Sequence, residues 1–150
     1  MTSPAEEPQT TLFNFAQPDS INGKAAIRLG TGGMVTASVQ FLAAGGDNNL
    51  HSHSAEDEVF LVLGGRVRFY GKDGDVVAEL GQNEGIVVPR LFPYWFESAS
   101  EEVLTIYKVG AKDPRYENER LNYQGLNASQ IARGDNHPLT GRAPTEAEKV

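Results

Sequence analysis

Cysteine is absent from the chain, so disulfides, thiolate metal ligands and cysteine nucleophiles are excluded. Long apolar runs are absent too: no stretch approaches the roughly 20 residues that a membrane-spanning helix needs. Positive charge is scarce, with 13 Lys and Arg against 20 Asp and Glu and a net charge of −7 over 150 residues. Nucleic acid asks for a basic surface and anionic lipid attracts basic segments, so the sequence predicts neither partner. The first residues, MTSPAEEPQTT, are polar and acidic where a secretory signal is basic and then apolar. A cytoplasmic protein with a small-molecule partner is the expectation. Helical periodicity is missing as well, apart from one helical turn expected over Asn127 to Arg133.

What is present is punctuation. Sixteen Gly and eight Pro break the chain into short runs rich in β-branched and aromatic residues, the composition of strands joined by turns. Strands are expected at Thr11–Phe15, Ala25–Leu29, Met34–Leu42, Val59–Leu63, Arg66–Tyr70, Val76–Leu80, Ile86–Pro89 and Val103–Val109, with a dense aromatic run at Leu91–Ser98. Lys72-Asp73-Gly74-Asp75 reads as a hairpin tip. Short strands and almost no helix predict an all-β antiparallel sandwich or barrel. Residues 1–10 are expected to form a flexible arm, 11–112 the barrel and 113–150 a polar extension. Exposed sheet edges and an arm with apolar anchors predict a homodimer; the arm either crosses to a partner's sheet or caps its own barrel.

The stretch Gly45 to Gly65, GGDNNLHSHSAEDEVFLVLGG, holds two of the three histidines. His51 and His53 are two apart, so on an extended strand they project to the same side. Glu58 follows after a short polar break. Two imidazoles and a carboxylate form the ligand set of a facial divalent-metal site with open positions. Glu56 and Asp57 compete for the carboxylate's place, but Glu58 leads directly into the apolar run Val59–Leu63, and Asp57 reads as a solvated turn residue. Without a metal, the same histidines would be hydrogen-bonded turn residues. His137 lies in a polar tail and enters the site only if that tail folds over the barrel mouth.

Gly45, five residues, His51, one residue, His53, four residues, Glu58, six residues, Gly65: this spacing resembles the first conserved motif of the cupins, small double-stranded β-helix jelly rolls. The resemblance covers about Ala25 to Val109 and implies a cupin-type jelly-roll barrel with little helix. It also implies a divalent transition metal on His51, His53 and Glu58, with Fe(II) favoured over Zn, Mn, Ni or Cu. The second cupin motif runs Gly, five residues, Pro, one residue, Gly, two residues, His, three residues, Asn, and here only Pro89 matches it. Asn83 and Leu91 stand at the two glycines, Tyr94 at the His that is usually the fourth ligand, and Ser98 at the Asn.

Tyr94, the candidate catalytic residue, carries three readings. It is a phenolate ligand, with its pKa brought down from about 10 by the cation; an acid, base or hydrogen-bond donor beside the metal; or one more core aromatic. Alternation puts Phe60 and Val62 on the side of Glu58, and Phe92 and Phe96 on the side of Tyr94, with Trp95 outward. Phe41 and Gln40 are candidates at the end of the preceding strand. A substrate pocket of Phe41, Phe60, Phe92 and Phe96 would suit an aromatic or enolic molecule, although aromatics at such positions are as readily barrel core. Arg66 and Arg68 share one strand face and read as exterior. Three functions follow: a non-haem iron dioxygenase, a class that the cupin resemblance includes; a metal-dependent isomerase, lyase or cyclase using Tyr94; and a non-catalytic ligand-binding cupin, which the altered second motif favours.

Overall fold

The computed structural model describes residues 7–46, 48–125 and 141–149; the expected helical turn at 127–133 and His137 lie outside them. Among the described residues ten strands follow one another: β1 Lys24–Thr31, β2 Val35–Leu42, β3 His51–His53, β4 Glu56–Gly64, β5 Val67–Tyr70, β6 Val76–Leu80, β7 Gly85–Val88, β8 Trp95–Ser98, β9 Leu104–Lys112 and β10 Arg120–Asn122. One sheet has the order β1-β2-β9-β4-β7, a second β6-β5-β8, and a third pairs β10 with β3. The last two are joined edge to edge, because His51 and Tyr94 exchange backbone hydrogen bonds of 3.0 and 2.9 Å. Two antiparallel layers result, and the fold is the cupin-type jelly roll.

Alternation decides what each strand buries. On β4, Glu56, Glu58, Phe60 and Val62 are buried while Asp57, Val59 and Leu61 are exposed. Facing them from the other layer are Val67, Phe69 and Phe96, and with Leu42, Tyr94, Leu104 and Ile106 these close the core. Phe60 packs edge-on to Phe69 and Phe96, with ring centroids 5.3 and 5.7 Å apart. Gly65 holds the turn between β4 and β5 at φ +76°, where a Cβ would come within 2.9 Å of Leu104 Cα; only glycine combines that φ with that closeness.

Thr11–Phe15 forms no strand, contrary to the sequence reading. The segment lies across the outer face of its own sheet instead of along an edge, so its backbone has no ladder to join. Phe13 stacks on Tyr107 of β9 at 6.5 Å, and Phe15 meets Phe41 of β2 at 6.0 Å. The polar extension contributes β10 and then returns once more: Arg142 bonds Arg120 and Asn122 in a parallel bridge outside β10.

Candidate metal centre

β3 and β4 bring the motif's ionisable side chains to one end of the barrel interior. Glu56 and Glu58 point inward together, while Asp57 points out and accepts a hydrogen bond from the Arg90 N–H at 2.8 Å. His53 Nε2 and Glu58 Oε1 lie 2.5 Å apart. Both atoms are buried, and among the described residues neither has an aligned hydrogen bond. Among the described residues, the ligand atoms of His53, Glu56 and Glu58 gather within 4.8 Å of one another. His51 stands beside this group, its ring perpendicular to that of His53 at 5.2 Å between centroids. Its Nδ1 is 2.7 Å from the Asn49 carbonyl. A carbonyl oxygen only accepts, so Nδ1 carries the proton and Nε2 keeps the lone pair. That is the tautomer a metal-binding imidazole needs.

Electrostatics keep His51 and Glu58 in ligand form. Burial, reinforced by Arg120 and His53, holds the His51 pKa well below its usual 6.5, so its imidazole is neutral. Burial opposes the charge on Glu58, but His53, the Lys108 ammonium and the Tyr94 hydroxyl outweigh it and lower the carboxyl to about 2. Lys108 Nζ lies 3.2 Å from Glu58 Oε2. Tyr94 donates to the same oxygen at 2.8 Å. Burial and the neighbouring carboxylate raise the Tyr94 pKa well above 10, so it remains a neutral phenol and a donor.

The neutral His51 imidazole, the His53 ring and two buried carboxylates, with His53 Nε2 and Glu58 Oε1 converging on each other, make a donor set that fits a divalent cation. Buried polar atoms without an aligned hydrogen bond are costly, and a cation bound by both residues would relieve that cost. His51, His53 and Glu58 are the residues that would hold it, with Glu56 within reach.

A family description, Cupin, matches residues 9–131 of the chain. The chain belongs to the cupin family. Solved structures resemble this cupin at low identity. The Schizosaccharomyces pombe Cnp3 cupin domain has a TM-score of 0.56 at 18% identity, over 60% of this chain and 65% of that one. An uncharacterized double-stranded β-helix protein from Klebsiella pneumoniae has 0.60 at 14%, over 69% and 82%. The salicylate 1,2-dioxygenase of Pseudoaminobacter salicylatoxidans, in a mutant form complexed with gentisate, has 0.51 at 23%, over 59% of this cupin and 25% of that chain. No curated protein matches by sequence.

Two pocket expectations are corrected. Phe41 is 1% exposed but points to the outer face, where it packs with Leu29 and Val39 under the N-terminal segment. Its neighbour Gln40 is the residue that turns inward, because the register pairs Gln40 with Ile106 and Phe41 with Thr105. Phe92 is 37% exposed. The alternation inferred through Leu91–Ser98 fails there because β8 starts only at Trp95, and Leu91, at φ +67°, turns the chain before it. Phe60 and Phe96 do face inward, but as closed core beneath the centre.

The open space beside the centre has a different character. A cavity of about 400 Å³ is lined by Ala26, Arg28, Thr36, Ser38, Glu56, Lys108, Gly110 and Lys112 among others. It is polar and cationic where the sequence reading has an aromatic wall. Lys108 could have been found earlier, since it continues the inward alternation of Leu104 and Ile106. Arg120 could not, because nothing in the sequence pairs β10 with the histidine strand. Arg120 donates to Asn49 Oδ1 at 2.7 Å and Asn122 Oδ1 at 3.1 Å, which fixes the loop leading into His51.

Proposed function

We propose that this cupin is a metal-dependent enzyme, a non-haem iron dioxygenase acting on a small aromatic or enolic substrate. The observation that carries the reading is the convergence of the buried atoms His53 Nε2 and Glu58 Oε1, 2.5 Å apart without an aligned hydrogen bond among the described residues. His51, His53 and Glu58 hold Fe(II) in preference to Zn, Mn or Ni. Bound iron supplies redox chemistry with dioxygen at open coordination positions. The protein's own part is positional. Asn49 sets the His51 tautomer, Tyr94 and Lys108 orient the Glu58 carboxylate, and the core around Phe60 and Phe96 closes the centre from below. Structural likeness to a salicylate dioxygenase is in keeping with this chemistry.

Tyr94 supports a second reading. A buried neutral phenol next to a carboxylate can donate a proton to an intermediate, so an isomerase, lyase or cyclase could use the same centre without oxygen. One experiment separates the readings. The full chain is produced with iron, zinc or manganese supplementation, its metal content is measured by elemental analysis, and turnover of enolic and phenolic compounds is followed with and without oxygen. Near-stoichiometric iron and oxygen-dependent turnover are expected. Oxygen-independent turnover that Tyr94→Phe abolishes at unchanged metal content selects the second reading. Less than about a tenth of an equivalent of any transition metal rejects both and leaves a ligand-binding cupin.

A further inference from the structure

Two of the strands that line the cavity beside the centre bring cations to one concavity. β1 supplies Arg28, and β9 supplies Lys108 and Lys112. Register places them on a single sheet face: Arg28 pairs with Ser38, Ser38 with Lys108, and Lys108 with Phe60, with Arg28 and Lys112 at the solvent-exposed mouth and Lys108 deeper. Thr36 and Ser38 add hydroxyls between the charges. Among the described residues Glu56 is the one carboxylate in the lining, and no ion pair among them joins Arg28 or Lys112 to an acid. Lys108 links the cavity to the centre, since its ammonium reaches Glu58 Oε2. In a chain of net charge −7, an arginine and two lysines around one lining carboxylate, with only Lys108 ion-paired among the described residues, is a local reversal of sign.

We infer that the substrate is an anion, a small carboxylate whose charged group lies between Arg28 and Lys112 while its other end reaches the His53–Glu58 side of the cavity. A guanidinium supplies paired N–H donors to a carboxylate and a lysine a mobile point charge, and the Thr36 and Ser38 hydroxyls can complete the acceptor's shell. A cation-lined cleft also concentrates anions against the repulsion of the whole chain. This deepens the proposed function and rests on it only for the reacting end of the molecule.

The test uses matched probes, 2-hydroxybenzoate and its neutral amide, with the full-length protein both metal-loaded and metal-free. Binding is followed by calorimetry and metal content is measured on the same samples. The carboxylate is expected to bind about tenfold more tightly than the amide, with the preference shrinking as salt rises. Arg28→Gln and Lys112→Gln should each remove most of that preference, leaving the amide's affinity and the metal content unchanged. Equal binding of the two probes, no binding of either, or variants that weaken both alike would overturn the inference. Failure of metal loading with the carboxylate preference intact would instead overturn the metal reading and leave the anion site standing.

Discussion

Tyr94 joins the chemistry of this centre to the packing beneath it. Its ring lies 4.5 Å from that of His51 and 5.9 Å from that of Phe60, centroid to centroid, while its hydroxyl serves Glu58. Tyr94→Phe keeps the ring and removes the donor. In the metal-free protein this should cost about 1–3 kcal/mol, as for a buried hydrogen bond to a charged acceptor, read as a lower urea midpoint at unchanged slope. An unchanged midpoint would mean that Lys108 alone satisfies the carboxylate. The neighbouring positions show what was legible one residue at a time. His53 and Glu58 announce themselves through spacing. Asn83 and Leu91 look like losses from the second cupin motif, yet both adopt the left-handed backbone, at φ +68° and +67°. The turn geometry has outlived the glycines. Asn accepts such a conformation readily, whereas Leu holds it at a cost of roughly 1–2 kcal/mol, and no pattern of letters reveals that.

At the scale of elements, strands β1, β2, β4–β7 and β9 were readable because each carries its own alternation or turn chemistry. β3 and β10, three residues apiece, were not, because their pairing rests on Arg120, Asn49 and Asn122 meeting across some 70 positions of sequence. The last described turn is fastened similarly. Arg142 binds Glu148 through two nitrogens at 2.8 and 3.1 Å and Glu119 at 2.7 Å. The Arg142 guanidinium, helped by the Thr145 N–H, lowers the Glu148 carboxyl from 4.5 to about 2. A depressed carboxyl stabilises the folded form above its unfolded pKa and loses that contribution as pH falls through its folded pKa. The clamp should therefore be fully set above pH 4.5 and released progressively down to about pH 2. The protection factors of the Asn122 and Arg142 amides, which divide out the intrinsic pH dependence of exchange, should fall across that window in the wild type. In Glu148→Gln the amides should exchange faster already at neutral pH, with a weaker pH dependence. Protection factors that are flat between these limits in both proteins would show that the fastening lies elsewhere.

Across the whole molecule, the two faces of the large sheet have different fates. Among the described residues no helix is long and apolar enough to cross a membrane; the apolar surface that needs a partner belongs to the sheet. Phe13 and Phe15 cover the β2–β9 half of its outer face. Among the described residues nothing covers the β4–β7 half: Val59, Leu61 and Val87 stand next to one another in register, and Val87 is 66% exposed. β7 is also the sheet's edge strand, and an apolar edge without a charged gatekeeper invites pairing. A second copy of the chain presents the same patch, so a twofold arrangement would bury both at once. On this basis the protein should sediment as a dimer at micromolar concentration. Val87→Lys places a charge at the centre of the patch on a side chain that already faces solvent, so the fold should survive and the dimer should dissociate. Sedimentation velocity of both proteins, with circular dichroism to confirm the fold, decides the matter. A wild-type monomer throughout that range, or a variant that stays dimeric, would place the dimer contact elsewhere or nowhere.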